Sequence, residues 1–504
     1  MSRRLQGSRW LDRARRLRGH RAFLAVLGVA AALRVITMAG HPPVLWFNDS
    51  YDYVRLALTP FPHPIRPIGY GIFLWLLKPF HSLTLVAGLQ HLMGLGIGVM
   101  IYVLLRRYGL PGWGATLAAV PVLLDAYQIQ LEQLALSDTL FAFLVVAALT
   151  VVLWPRERRA PSSWWCAAAG LLLSAATLTR TIGLPVLLIT LAVLTLWRAG
   201  WRRVGVVAVT GLVPLVAYAA WFQSVNGQFA MSRTDGVFLW GRTAAFAECS
   251  KIDPPPDLAA FCPPGEPGER AASSSQVWGK ESPTGFRYGE VFDPETNDRA
   301  QAFALEAIKA QPLDYVRTVA YDVFVRTFFL TRAPYPSKYV ADLYTFQERA
   351  QPMPAWPVYG GGDPASVSSA YEGGDARTTV VEPYASIMRG YQKVAALPGI
   401  VLGGVLLLPV AVWWRRRGAR SEPGRGRLGG TPEAPRVLLP WAAAAALLAV
   451  PPVTVDFDYR YVLAAVPLAC LAAGLAFRRA EAGPEEPGER PLPGVQAAEP
   501  EHQL

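Results

Sequence analysis

Residues 22–53 read AFLAVLGVAAALRVITMAGHPPVLWFNDSYDY. The run 22–40 carries a single charge, Arg34, and as a helix is long enough to cross about 30 Å of hydrocarbon. Just past its end come Asn48, Asp49, Ser50, Tyr51, Asp52 and Tyr53. Asp49 and Asp52 lie three residues apart, so a helix would present both on one face. Ionisable groups held at a membrane are a functional hypothesis by default. The plain alternative is an interfacial loop whose carboxylates face water.

The rest of the chain has the same character. It holds 504 residues, 52% hydrophobic and only 17% charged, below the roughly one quarter usual in soluble domains. Apolar runs near 22–40, 84–105, 113–125, 136–154, 163–179, 182–198, 203–222, 394–414, 436–452 and 461–477 read as ten spans, the third short enough to be a broken helix. The net charge of +11 does not call for nucleic acid, because the arginines sit beside the spans. With the N-terminus inside, Arg106-Arg107, Arg156–Arg159, Arg198–Arg203, Arg415–Arg420 and Arg478-Arg479 all fall on the cytoplasmic side. The connections 126–135 and 453–458 fall outside and hold no Lys or Arg at all. Residues 1–21 read as a basic cytoplasmic leader, because the run after them shows no convincing cleavage site.

This topology leaves two segments outside, 41–83 and 223–393. The second is rich in Pro and Gly in its first half, and its stretch 299–329 has apolar residues at helical spacing, predicting at least one helix against the membrane or the bundle. Cys249 and Cys262 both lie in it and could pair if the segment is extracytoplasmic. Cys166 and Cys470 read as apolar fillers within spans. The tail 480–504 is rich in Pro, Glu and Gly and is expected to be disordered. Domains are therefore expected at 22–222, 223–393 and 394–479.

Other polar residues cluster at the outer ends of the spans. Glu132, Ser137 and Asp138 precede the fourth. Arg180 sits between two spans and faces outward, against the charge rule. Asp456, Asp458 and Arg460 precede the last. Arg34 lies about a turn and a half inside the first. Each arginine has a bland reading, Arg34 by snorkelling and the others by pairing with Asp138, Asp456 or Asp458. Together with Asp49 they suggest one site, and the planar guanidinium fork suits a phosphate. A polyprenyl-phosphate sugar fits: the tail between spans, the phosphate on arginine, the sugar outward, and a carboxylate to deprotonate an acceptor hydroxyl. Pro67 and Gly69 in the Arg66-Pro67-Ile68-Gly69-Tyr70 element fix the chain's entry and allow close approach. His63 and His81 are too isolated to argue for a metal centre. Asp49 with Asp52 could hold Mg2+ or Mn2+ through oxygen.

These residues resemble the GT-C superfamily of polytopic glycosyltransferases, near the protein mannosyltransferases and lipid A aminoarabinose transferases. The resemblance lies in Asp49–Tyr53 after the first span, Arg66–Leu74, Ser137-Asp138-Thr139-Leu140-Phe141, Thr179-Arg180-Thr181 and Arg460-Tyr461. Ser50 and Thr181 depart from the pattern, and 223–393, the region that in this superfamily shapes acceptor choice, matches nothing in it. The resemblance implies a polyprenyl-phosphate sugar donor with Asp49 as general base. The expectation is an all-α membrane bundle of GT-C type, multi-pass in a bacterial plasma membrane with both termini cytoplasmic, acting on a cell-envelope acceptor. Asp49 and Asp52 are the catalytic candidates. Arg66, Arg180, Arg460 and Arg34 would hold donor phosphate, and Tyr53, Tyr70, Glu132 and Asp138 would line the sugar or acceptor pocket. The rival readings are a transporter or flippase for an anionic or lipid-linked substrate, against which stands the absence of an internal repeat, and an envelope scaffold.

Overall fold

The computed structural model describes residues 19–155, 161–270, 272–279, 282–285, 292–329, 338–418 and 434–477. The leader 1–21 lies almost wholly outside them, and the tail 480–504 entirely so. Among the described residues every regular element is helical, and an isolated bridge joins Leu45 to Leu134.

In chain order the first half holds α1 (Arg21–Gly40), the short α2 (Ser50–Leu58) and α3 (Gly69–Leu77), then α4 (Leu83–Arg107), α5 (Gly112–Leu124), α6 (Ala126–Gln133), α7 (Ser137–Leu153), α8 (Ser163–Thr179), α9 (Gly183–Leu196) and α10 (Trp201–Asn226). Between the two sets of spans come α11 (Asp235–Thr243), α12 (Pro294–Ala310), α13 (Pro312–Ala320), α14 (Pro364–Glu372) and α15 (Tyr384–Gln392). The chain ends in α16 (Gly399–Gly418), α17 (Ala434–Thr454) and α18 (Tyr459–Ala476). Helices form on all ten apolar runs. Six of them, α1, α4, α10, α16, α17 and α18, are long and apolar enough to cross a membrane, and α5, α7, α8 and α9 are shorter apolar helices. The protein is an all-α, multi-pass membrane protein. Large apolar side chains such as Val35, Leu92, Leu117, Val209 and Leu407 stay exposed on the outside of the bundle, as a hydrocarbon solvent allows.

The last helix is the axis of the fold. α18 packs against α17, α16, α5, α4 and α7, and nearly all its side chains are buried. Its alanines and glycine permit this approach, which in lipid rests on close backbone packing rather than on hydrophobic exclusion. A Cβ on Gly474 would collide with Leu105 of α4.

The short third span is a broken helix. Asp125 interrupts α5 and α6: its carboxylate accepts from the N–H groups of Tyr127 and Gln128 at 2.9 and 3.0 Å, capping α6. It also accepts from Leu397 N–H at 2.7 Å, which ties the break to the start of α16. The segment 126–135, expected as an outer connection, forms the buried helix α6. Its polar side chains are satisfied inside the bundle, which is why a run without lysine or arginine did not betray its burial. The amphipathic stretch 299–329 is likewise helical but divided, because Pro312 cannot continue α12. α13 follows, then a π-helical turn, Tyr321–Arg326, leaving Leu313, Val316 and Phe324 exposed.

The two segments expected outside pack on each other. Trp46 donates to Ala376 O at 3.0 Å, Thr378 to Val44 O at 2.6 Å and Arg55 to Gly360 O at 2.8 Å. They share one face of the protein.

A candidate active site of acids and arginines

Asp49 stands at the mouth of α2, directly after α1. Its two oxygens meet two guanidiniums from distant parts of the chain. Arg66 Nη2 donates to Oδ1 at 2.7 Å and Arg460 Nη1 donates to Oδ2 at 3.0 Å. Asp52, one helical turn on, receives Arg66 Nε at 3.3 Å. The shared face expected for the two acids thus holds, with Arg66 supplying the positive charge between them. Among the described residues no group of three or more His, Cys, Asp and Glu side chains is arranged to hold a metal ion.

The cluster continues through α7 and α18. Arg180 Nη1 lies 2.7 Å from Asp138 Oδ1, whose Oδ2 is 4.0 Å from Arg460 Nη1. Asp458 caps α18 by accepting from Arg460 N–H at 3.1 Å, lies 3.4 Å from Arg460 Nε and takes the Tyr344 hydroxyl at 2.7 Å. Arg180 and Arg460 both lie over the Tyr461 ring, and Arg460 also over Phe47. Such stacking holds a guanidinium in place while leaving an edge for an anion. Asp138 Oδ2 and Arg460 Nε are buried without hydrogen-bond partners. Both atoms keep only the looser ion-pair contacts just described, and a buried polar atom short of a hydrogen bond carries a desolvation cost.

Local structure delivers these groups. Gly69 starts α3 hard against the Leu178–Thr179 backbone, where a Cβ would meet it at 2.6 to 2.7 Å. That approach sets the Arg66 turn beside the α8–α9 corner that carries Arg180. Tyr53 and Tyr70 pack edge to face at 5.1 Å. Tyr53 shares a hydrogen bond with Ser137, and Tyr70 donates to Gln90 at 2.7 Å. Both rings are buried beside the cluster.

Arg34 and Glu132 do not join it. Arg34 grips Glu132 through Nε and Nη2 at 2.7 and 2.8 Å, and its Nη1 donates to the carbonyls of Ala30 and Leu123. Glu132 also takes His91 at 3.0 Å and Gln128 at 3.1 Å. Their polar atoms are spent on each other, so the phosphate role expected for Arg34 and the pocket role expected for Glu132 give way to a buried tie between α1, α4 and α6. Asp456 also turns elsewhere. It lies 4.0 Å from Arg242, which donates to Asp322 at 2.6 Å.

The environment splits the two acids of α2. Burial alone would raise both, but Arg66 and Arg460 bring Asp49 below the usual carboxylate range. Asp52 is pushed up to about 6 by burial, which Arg66 offsets only in part and the Asp49 charge reinforces. His63, set aside in the sequence, belongs here. Its Nδ1 accepts from the N–H groups of Ile65 and Arg66 at 3.0 and 3.1 Å, and its Nε2 lies 4.0 Å from Asp52. Cys249 and Cys262 form a disulfide.

Fold and site thus define a multi-pass helical membrane protein with a buried cluster of paired arginines and acids. Comparison adds the family likeness: residues 77–233 match the model of the dolichyl-phosphate-mannose-protein mannosyltransferase family. The match spans less than half of the chain. It covers Asp138 and Arg180 and stops short of Asp49, Asp52, Arg66 and Arg460. Similar solved structures include an Archaeoglobus fulgidus oligosaccharyltransferase, AglB, in complex with an inhibitory peptide and a dolichol-phosphate. It is 13% identical, with a TM-score of 0.39 over 90% of this chain and 50% of that one. ArnT from Cupriavidus metallidurans bound to undecaprenyl phosphate is 14% identical, with a TM-score of 0.33 over 90% of this chain and 76% of that one. The chain spans about half the length of the archaeal protein. No curated protein sequence matches it.

Proposed function

We propose that this protein is a membrane glycosyltransferase that moves a sugar from a polyprenyl-phosphate donor to an acceptor hydroxyl on the extracytoplasmic face. The observation that carries this reading is the convergence of Arg66, Arg180 and Arg460, from three separate elements, on Asp49 and Asp138. Three guanidiniums at one membrane face suit the phosphate of a lipid whose tail lies between helices. The family match over 77–233 agrees.

In this mechanism the donor phosphate displaces carboxylates from Arg460 and Arg66. A carboxylate of the Asp49 and Asp52 pair, Asp49 in the sequence reading, takes the acceptor's hydroxyl proton. The acceptor oxygen bonds to the anomeric carbon from the face opposite the phosphate, so configuration inverts. The glycosidic carbon–oxygen bond breaks with its electron pair going to the phosphate, whose charge the arginines already balance. Asp138 and the Tyr53 and Tyr70 rings would border the sugar.

The test is transfer from radiolabelled polyprenyl-phosphate sugars by the purified full chain, with Asp49→Asn alongside. A glycosyltransferase releases polyprenyl phosphate and labels an acceptor, and the variant loses turnover. Movement of labelled lipid across a vesicle without cleavage of the sugar, unchanged in the variant, would instead establish the flippase reading.

A further inference from the structure

The reading as a glycosyltransferase leaves one question at the site: which acid takes the proton, and what prepares it. We propose that His63 is a positioning residue that braces the turn delivering Arg66 and aims its remaining N–H at Asp52, so that Asp52 rather than Asp49 receives the acceptor's proton.

Hydrogen bonding fixes the imidazole's tautomer. Nδ1 accepts two backbone N–H groups, from Ile65 and Arg66, and so carries no proton. The proton is on Nε2. That atom is buried without a hydrogen-bond partner and faces Asp52 Oδ1 at 4.0 Å. A movement of about 1 Å would make the bond. Burial and then Arg66 push His63 down to about 3, so the ring stays neutral and acts as a donor, not as an acid. The Tyr359 ring meets it edge-on at 4.9 Å and Phe61 closes a second side.

The two carboxylates are engaged differently. Both oxygens of Asp49 are held by guanidiniums, at 2.7 and 3.0 Å. Asp52 has one longer contact, Arg66 Nε to Oδ2 at 3.3 Å, which leaves Oδ1 toward His63. Its side chain is 22% exposed against 11% for Asp49, so it is the acid an incoming acceptor reaches. Paired acids whose surroundings drive them apart divide into a base and an electrostatic partner. Here the higher-titrating acid, Asp52, is the better proton acceptor. Asp49 keeps Arg66 and Arg460 in register for the phosphate.

The charged groups facing Asp52 are Asp49 and Arg66, and the neutral His63 lies beside them. From the elements packed on α2, α3 brings Tyr70, which donates to Gln90. α14 brings Tyr371, which donates to Leu74 O, and Glu372, which accepts from Leu83 N–H. Arg55 of α2 itself is turned to Gly360 O. In the reaction the acceptor's O–H proton passes to Asp52, the acceptor oxygen bonds to the anomeric carbon, and the electron pair of the broken bond leaves on the phosphate.

The experiment pairs infrared difference spectroscopy of carboxyl protonation in the detergent-solubilised full chain with the pH dependence of transfer. Asp52 is expected to titrate near pH 6. Turnover falls on the acid side of the same midpoint, and Asp52→Asn removes the infrared band and costs about 100-fold or more in kcat. His63→Asn preserves an acceptor for the Ile65 and Arg66 N–H groups but not the N–H toward Asp52. It is expected to raise the midpoint and lower kcat at unchanged donor KM, whereas His63→Ala also raises donor KM. The proposal is overturned if Asp52→Asn keeps its turnover and acid limb, if Asp52 titrates in the ordinary carboxylate range, or if His63→Asn leaves the midpoint in place. A wild-type chain that titrates as expected but transfers no sugar defeats the transferase reading itself, and the proton role with it.

Discussion

At the scale of single residues, the site was legible where a side chain broke a local rule. Asp49 and Asp52 directly follow an apolar run, and Arg180 and Arg460 fall where the arginine count over the spans expects none. Each anomaly costs energy unless the partner exists, and the partners are each other. His63 broke no rule, because one histidine in a polar loop carries no spacing, and its role is set by a turn that only the fold makes. Arg242 was equally silent, since its partner Asp322 is distant in sequence. Among the arginines, Arg460 touches Asp49, Asp138 and Asp458, while Arg180 touches Asp138 and Ser137. Arg460→Gln should therefore cost more than Arg180→Gln. We expect losses in kcat/KM of about 10²–10³-fold for Arg460→Gln and a smaller loss for Arg180→Gln, read from initial rates at varied donor concentration. Equal rates in the Arg460 variant and wild type would remove the phosphate role.

At the scale of elements, the helices were legible because apolar length alone decides a span, and the exceptions have one cause. Buried polar helices and helix breaks depend on partners that the sequence does not place side by side. α6 is the clearest: Glu132, a pocket candidate in the sequence, and Gln133 beside it are met instead by Arg34, His91 and Gln90, which reach across to them or to their backbone. Glu132→Gln should leave Arg34 buried with its charge uncompensated, at a cost of about 3–5 kcal/mol. Replacing both members with apolar residues of similar size should recover most of that, and the unfolding midpoints of the two variants in detergent measure the difference. The connection between α17 and α18 gives a second test. Burial pushes Asp456 up to about 6. A carboxyl raised on folding stabilises the protein at low pH, and that contribution fades as pH rises through the folded value. Asp456→Asn should thus stabilise the chain by about 1–3 kcal/mol at pH 7.5, by about a third of that at pH 4.5 and hardly at all near pH 3, in paired thermal melts. An equal shift at pH 7.5 and pH 3 would show that the charge at Asp456 is not what matters.

At the scale of the whole molecule, the span count and the packing reach the same arrangement by separate routes. Counting spans from the arginine pattern puts 41–83 and 223–393 on one side, and the coordinates join them through Trp46, Arg55 and Thr378. The packing alone does not say which side that is. The disulfide does bear on it, because Cys249–Cys262 is a bond that persists in oxidising compartments and rarely in the cytosol. Closing a loop with a sequence separation of 13 should contribute about 3 kcal/mol to the outer segment. Cys166 and Cys470 are buried in the bundle, so a membrane-impermeant maleimide has no other thiol to reach from outside. Intact cells carrying the full chain should therefore take up no label without reductant and two labels per chain after an impermeant reductant. The same reductant should lower the unfolding midpoint of the purified protein. Labelling that appears only after the membrane is permeabilised would turn the chain over and carry the arginine cluster to the other side, whereas labelling of intact cells without reductant would keep the segment outside and remove the disulfide.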